Sequence, residues 1–147
     1  IRVPEVFGKY DNFDFSSCRN IPLIINTMFK KKNKKISLDL NIKKSYIFAS
    51  DLAKISIKIF FKNKKKFQTF NVCNDKPYSL IHILSIIRKI WYKKSFEYIE
   101  NNNLKLVNIS RKFSNKKIKR FLKIKRMNNL KSSIHKTILW YKKFYKI

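Results

Sequence analysis

Apolar positions along the chain change period several times, and each change marks an element. Ile21, Ile24, Ile25 and Met28 are spaced three and four apart, which predicts a helix over Asn20–Phe29. Pro22 is tolerated in its first turn, where no intrahelical donor is lost. Ile36, Leu38 and Leu40 alternate with polar residues, the period of a half-buried strand. Tyr46–Phe48 reads as a second short strand, and Ser50 with Asp51 as the cap of a helix turning Leu52, Ile55, Ile59 and Phe60 inward. Residues 67–72 predict a strand and residues 74–77 a turn. Ser79 then caps the most apolar helix, with a stripe of Leu80, Ile83, Leu84, Ile87, Ile90 and Trp91. Residues 104–109 form a further strand and residues 115–121 a short helix. A last helix over 130–145 turns Leu130, Ile134, Ile138, Tyr141 and Tyr145 inward. Residues 1–3 read as the end of a buried strand, 4–17 as loop, and 30–35 and 62–66 as polar connectors. Strands alternating with helices predict an α/β or α+β chain.

The chain has 147 residues, enough for one domain. Lys and Arg number 36 against 8 Asp and Glu, a formal charge of +28. A nucleic-acid or anionic-surface binder is the obvious reading of that charge. Only six of the cations are Arg, however, and Lys is spread over the whole chain. A phosphate-recognising patch is expected to use more of arginine's bidentate fork. Enrichment in Lys, Asn, Ile, Phe and Tyr fits drift toward A/T-rich codons better. Residues 101–147 hold no acid, so that stretch attracts polyanions non-specifically at low salt. The apolar fraction of 44% is too high for a disordered basic tail. A first residue already inside a strand-like run leads us to expect a piece of a longer protein.

Candidate chemistry is sparse. His82 and His135 fall in predicted helices with no second His or Cys at ligand spacing. Cys18 and Cys73 cannot make a four-thiolate site or a disulfide framework, and neither has a His at suitable spacing. Gly8 is the one glycine, which excludes both common glycine-rich phosphate loops. The run Phe60, Phe61, Lys62, Lys64–Lys66 and Phe67 has the composition of a single-strand stacking platform, although such aromatics more often are core residues flanking a surface loop. Acids are more informative because they are scarce. Glu5, Asp11 and Asp14 cluster in the first loop, as a polar site after a buried strand would.

Four blocks of sequence, in order, resemble the carboxyl-terminal half of an extended short-chain dehydrogenase/reductase, the NAD-dependent epimerase/dehydratase family acting on nucleotide sugars. Arg2-Val3-Pro4-Glu5-Val6-Phe7-Gly8-Lys9-Tyr10 is similar to R-x-x-N-V-Y-G-P-Y. Lys44-Ser45-Tyr46-Ile47-Phe48-Ala49-Ser50-Asp51-Leu52-Ala53 is similar to R-D-F-I-Y-V-D-D-L-A. Phe70-Asn71-Val72 with Pro77-Tyr78-Ser79-Leu80 resembles Y-N-V-G-x-G-x-x-Y-S-V, and Thr137, Ile138, Trp140 and Tyr141 match the last family helix. Tyr10-Asp11-Asn12-Phe13 with Ile21-Pro22 resembles the GDP-fucose synthase branch.

The resemblance implies a two-lobed cytoplasmic enzyme that moves hydride between a sugar nucleotide and NAD or NADP. It implies that this chain is mainly the substrate-binding lobe plus the last strands of a Rossmann-like fold. The glycine-rich cofactor loop and the Tyr-x-x-x-Lys catalytic pair belong to the other lobe; neither motif is in this sequence, so no catalytic residue is expected here. By position, the resemblance puts Val3 and Pro4 near the nicotinamide. It puts Glu5, Arg19 and Lys44 against the sugar nucleotide, with Lys44 on the diphosphate. Homodimers are common in the family. Three departures stand out: Asn has become Glu5, Tyr has become Phe7, and Arg has become Lys44, which keeps the charge but loses the fork. Leu38, Leu40, Cys73 and Asp75 replace family glycines, so strained or rebuilt turns are expected there. The other class open to this sequence is a non-enzymatic nucleic-acid or ribosomal protein from an A/T-rich genome.

Overall fold

A computed structural model describes residues 1–14, 19–29, 36–38, 42–64, 67–91, 98–100 and 113–145. Its elements are β1 (Glu5–Phe7), α1 (Asn20–Phe29), β2 (Ile36–Leu38), β3 (Lys43–Lys44), β4 (Tyr46–Phe48), α2 (Ala49–Lys62), β5 (Tyr78–Ser79), α3 (Leu80–Ile90), β6 (Tyr98–Glu100), α4 (Lys116–Leu122) and α5 (Leu130–Phe144). The α/β reading holds. The expectations for residues 15–18, 30–35, 39–41, 65–66 and 104–109 lie outside the described residues.

The fold turns on a short parallel ribbon. β1 and β4 pair with Glu5 opposite Tyr46, Val6 opposite Ile47 and Phe7 opposite Phe48. Side chains alternate across it. Phe7, Tyr46 and Phe48 enter one core with α1, α3 and α5. Ile47 enters the other with Ile55 and Ile59 of α2, Phe70, Val72 and Ile118 of α4, and Val6 packs against it. A parallel pair covered on both faces needs an apolar run rather than an alternating one, and all of Tyr46–Phe48 is buried. β2 pairs with β6 in parallel, and β3 with β5 antiparallel, setting Lys44 opposite Tyr78.

Several expectations need correction. Residues 5–7 are strand, not loop. Residues 67–72 contribute a single parallel bridge, Asn71 to Arg2, with Arg2 N–H donating to the Phe70 carbonyl at 2.8 Å and Val72 N–H to that of Arg2 at 3.0 Å. Ile1 and Val3 are exposed, so residues 1–3 are not buried strand. Ser50 and Asp51 do not cap α2: β4 runs straight into the helix, with Phe48 at its N-cap. Asp51 instead accepts from the Asn128 backbone N–H at 3.3 Å and from its side-chain amide. Ser79 stands at the N-cap of α3 but its side chain makes no capping bond. Tyr145 lies beyond α5 and is exposed.

The largest departure concerns aromatics. Phe60, Phe61 and Phe67 are 78%, 72% and 85% exposed, so they are surface and not core. Phe60 follows Ile59 by one residue, about 100° round the helix, and leaves the stripe that Ile55 and Ile59 form.

α1 is wrapped nearly all round, which explains how Asn26 and Thr27 come to be buried in it. Their side chains donate to the carbonyls of Phe13 and Leu23. α3 packs against both α1 and α5. Asn129 caps α5 by accepting from Lys131 N–H at 2.9 Å. Among the described residues, no helix is long and apolar enough to cross a membrane.

Candidate functional site

β1 and β3 bring Glu5 and Lys44 together. Glu5 N–H donates to the Ser45 carbonyl at 3.3 Å, drawing the start of β1 against the joint between β3 and β4. At that joint Lys44 Nζ donates to Glu5 Oε1 at 2.9 Å. Both side chains are partly open to solvent. An acid of β1 and a cation of β3, both singled out by the sequence, therefore form one ion pair.

Tyr46 lies opposite Glu5 in the ribbon, and its hydroxyl is buried without a hydrogen-bond partner among the described residues. Burial, and then the nearby Glu5 charge, push that phenol well above its ordinary range. It stays protonated at any physiological pH.

Arg19 is held elsewhere. Its Nη2 donates to Asp11 Oδ1 at 2.9 Å, while the guanidinium is half-exposed. Asp11 is the buried partner: Oδ1 also accepts from Asn12 N–H at 2.9 Å, and Oδ2 has no partner among the described residues. The Tyr141 hydroxyl donates to the Asp11 carbonyl at 3.3 Å, fixing this loop to α5. Phe13 stacks on Tyr141 with centroids 4.2 Å apart. Neighbouring Tyr10 adopts a left-handed φ of 62° and packs on Trp140 at 4.9 Å.

Val3 is exposed and Pro4 half-buried, so together they offer an apolar edge beside Glu5. Gly8 has φ of 152°, and a Cβ there would meet Ala49 Cβ at 3.0 Å and the Phe48 ring at 3.3 Å. The glycine thus serves the close approach of β1 to the start of α2.

No strained backbone is found at Leu38, Cys73 or Asp75: among the described non-glycine residues only Tyr10 and Lys123 have positive φ, and Leu40 lies outside the described residues. Asn115, the N-cap residue of α4, donates to the Cys73 carbonyl at 2.9 Å and to Asp75 Oδ1 at 2.8 Å. Lys119 Nζ donates to the same oxygen at 2.9 Å. Burial pushes Asp75 up, but these two bonds and the Lys119 and Arg126 charges outweigh it and hold the carboxyl below its usual range. Burial and the Asp75 charge push the Cys73 thiol up to about 11.

Among the described residues, no three His, Cys, Asp or Glu side chains are grouped to hold a metal. His82 stacks on Tyr78 at 5.2 Å, and His135 is exposed on α5.

No protein-family model and no curated protein matches the sequence. Solved structures do match. A GDP-L-fucose synthetase from Naegleria fowleri, bound to NADP, superposes with a TM-score of 0.82 at 14% identity, over 98% of this chain and 45% of that one. The UDP-glucose 4-epimerase of Thermotoga maritima, with UDP-glucose, gives 0.78 at 14% identity over 98% and 45%. A dTDP-glucose 4,6-dehydratase from Bacillus anthracis, in complex with NAD, gives 0.78 at 14% over 99% and 44%. This chain has their fold. It spans less than half the length of each of the three.

The resemblance singled out Glu5 and Lys44 one at a time and was silent on the pair they form. Their complementary signs, in a chain with so few acids, were the available signal.

Proposed function

We propose that these 147 residues are the substrate-binding lobe, with adjoining strands, of a nucleotide-sugar epimerase, dehydratase or reductase. The likeness in fold over nearly the whole chain to enzymes that act on nucleotide sugars carries this reading. In it, Lys44 presents its cation to the diphosphate, Arg19 contacts another part of the sugar nucleotide, and Glu5 sets how much of the Lys44 charge a ligand meets. Val3 and Pro4 lie against the nicotinamide of NAD or NADP, which supplies the hydride acceptor and donor when bound. The remainder of that cofactor is held by residues beyond these, because Gly8 is committed to packing. In this reading the part played by the lobe is to bind and orient the substrate. A homodimer, working in the cytoplasm, belongs to the same proposal.

Calorimetric titration of the intact protein with UDP-glucose and with dTDP-glucose tests the reading. Saturable binding of either, weakened at least about fivefold in Lys44→Gln, is expected from loss of one phosphate contact. Absence of binding for both sugar nucleotides, and for both nicotinamide cofactors, would refute it.

A further inference from the structure

α4 carries four cations, and two of them are matched. Lys119 Nζ pairs with Asp75 at 2.9 Å, and Lys117 Nζ donates to the Thr69 carbonyl at 3.0 Å. Lys116 and Arg120 remain. Both are exposed, and neither side chain has a hydrogen-bond or ion-pair partner among the described residues. They stand four apart, as neighbours on one edge of the helix, a spacing at which like charges destabilise it. Only six of the 36 cations in the chain are arginine, and Arg120 is one of them.

Lys116 and Arg120 both line a cavity of about 340 Å³, with Lys117, Gln68, Phe70 and Phe121. That volume is within the range of small-molecule sites, about 300–1,000 Å³. No carboxylate lines it. The rings of Phe70 and Phe121, 4.9 Å apart, give it an apolar wall. Contacts from both sides hold that wall in place. Lys62 Nζ, on α2, donates to the Phe121 carbonyl at 2.6 Å and lies 5.3 Å from the Phe121 ring. Lys117 Nζ stands 5.0 Å from the Phe70 ring. The Gln68 amide donates to the Asn63 side chain, at the end of α2, at 3.0 Å. A concave site with one sign of charge and low-dielectric walls concentrates the potential inside it. None of its residues is among those assigned above to the sugar nucleotide or the nicotinamide.

We propose that this cavity binds a phosphate monoester: the phosphate dianion lies between Lys116 and Arg120, and the carbon part of the ester rests against Phe70 and Phe121. The guanidinium offers the dianion two parallel N–H donors, which an ammonium cannot do. Lys117 adds a third positive charge while staying tied to Thr69. A seated dianion also relieves the repulsion between Lys116 and Arg120. The site differs from general attraction of polyanions in requiring two particular cations and an apolar wall.

Calorimetric titration of the intact protein with phenyl phosphate tests this, at about pH 7.5, where a phosphate monoester is mostly a dianion, and about 0.15 M salt. Saturable binding, several-fold tighter than that of inorganic phosphate, is expected. Lys116→Gln/Arg120→Gln should weaken it at least about tenfold, from loss of two charge-assisted contacts. Lys54→Gln/Lys58→Gln removes as much charge at the same spacing, from exposed positions of α2 outside the cavity, and should change affinity less than about twofold. Arg120→Lys should fall between wild type and the double variant. Equal losses in the two double variants overturn the proposal in favour of diffuse charge. Absence of saturable binding, or wild-type affinity in Lys116→Gln/Arg120→Gln, overturns it outright. Inorganic phosphate bound as tightly as phenyl phosphate overturns the ester and its apolar wall. Circular dichroism checks that the variants fold. Lys44→Gln should bind phenyl phosphate as wild type does, so the result stands apart from the sugar-nucleotide reading.

Discussion

Replacing Glu5 by Gln removes a charge that any diphosphate at Lys44 would have to face. The pair is 2.9 Å apart, with side chains 27% and 34% exposed for Glu5 and Lys44. A phosphate touching the far side of the ammonium would sit about 5 Å from the carboxylate. Solvent that reaches both groups keeps the effective dielectric high, about 40–80. Coulomb's law then gives about 1–2 kcal/mol of repulsion from the nearer phosphate charge. Removing it should tighten sugar-nucleotide binding about 5- to 30-fold. Folding stability should fall by less than about 1 kcal/mol, the usual worth of a solvent-screened ion pair. Calorimetric titration of Glu5→Gln and wild type with UDP-glucose reads the first effect, and urea denaturation the second. High salt should shrink the difference in affinity. Weaker binding by Glu5→Gln, in a protein of unchanged stability, would show that the carboxylate holds the ligand instead of competing with it.

Other outcomes follow from the packing and the perturbed groups. Ile134→Ala, fully buried against the first core, should cost about 2–5 kcal/mol by urea denaturation. Ile57→Ala, exposed on α2, should stay within about 0.5 kcal/mol. Asp75→Asn should destabilise by under about 1 kcal/mol at neutral pH, because that side chain is nearly half-exposed. Its lowered folded pKa puts the contribution above the unfolded carboxyl range, so the gap between variant and wild type should close as pH falls below about 4. The Cys73 thiol is raised from 9.0 to about 11, so its protonated form favours the folded chain. That contribution is complete below about pH 9 and is lost as pH rises toward about 11, seen as a falling denaturation midpoint. At pH 8 the Cys73 peptide should take up iodoacetamide only after unfolding, read by mass spectrometry.

Helices were the legible part of this sequence. Leu80, Ile83, Leu84 and Ile87 stand at helical spacing and all four are buried, because a long stripe averages out local exceptions. The strands were harder, since each has three residues or fewer and none completes two periods. Pro4 and Glu5 look like loop, and only pairing with β4 makes β1 a strand. Lys43 and Lys44 carry no apolar signal, so β3 is invisible until β5 lies beside it. Residues 67–72 show the reverse error: their β-forming composition finds a partner only at Arg2. Resemblance drew notice to Glu5 and Lys44 singly, while the contact between them was not legible. Glu5 and Lys44 are 39 positions apart, and a sequence does not state which charges a ribbon will bring together.

The ribbon also sets what such a chain can lose. Turn residues and surface charges can be exchanged when neighbours shift to match, and the turn at Asp75 and the link at Glu5 are held by such side-chain bonds. Parity cannot be traded in this way. One residue inserted or deleted at Ser45 would turn Ile47 toward the helices that hold Tyr46 and Phe48, and those rings toward α2. Both interiors would fail together. A lineage under steady compositional pressure should therefore tolerate almost any spelling of its surface, yet reject a frame-preserving gain or loss of a single codon here.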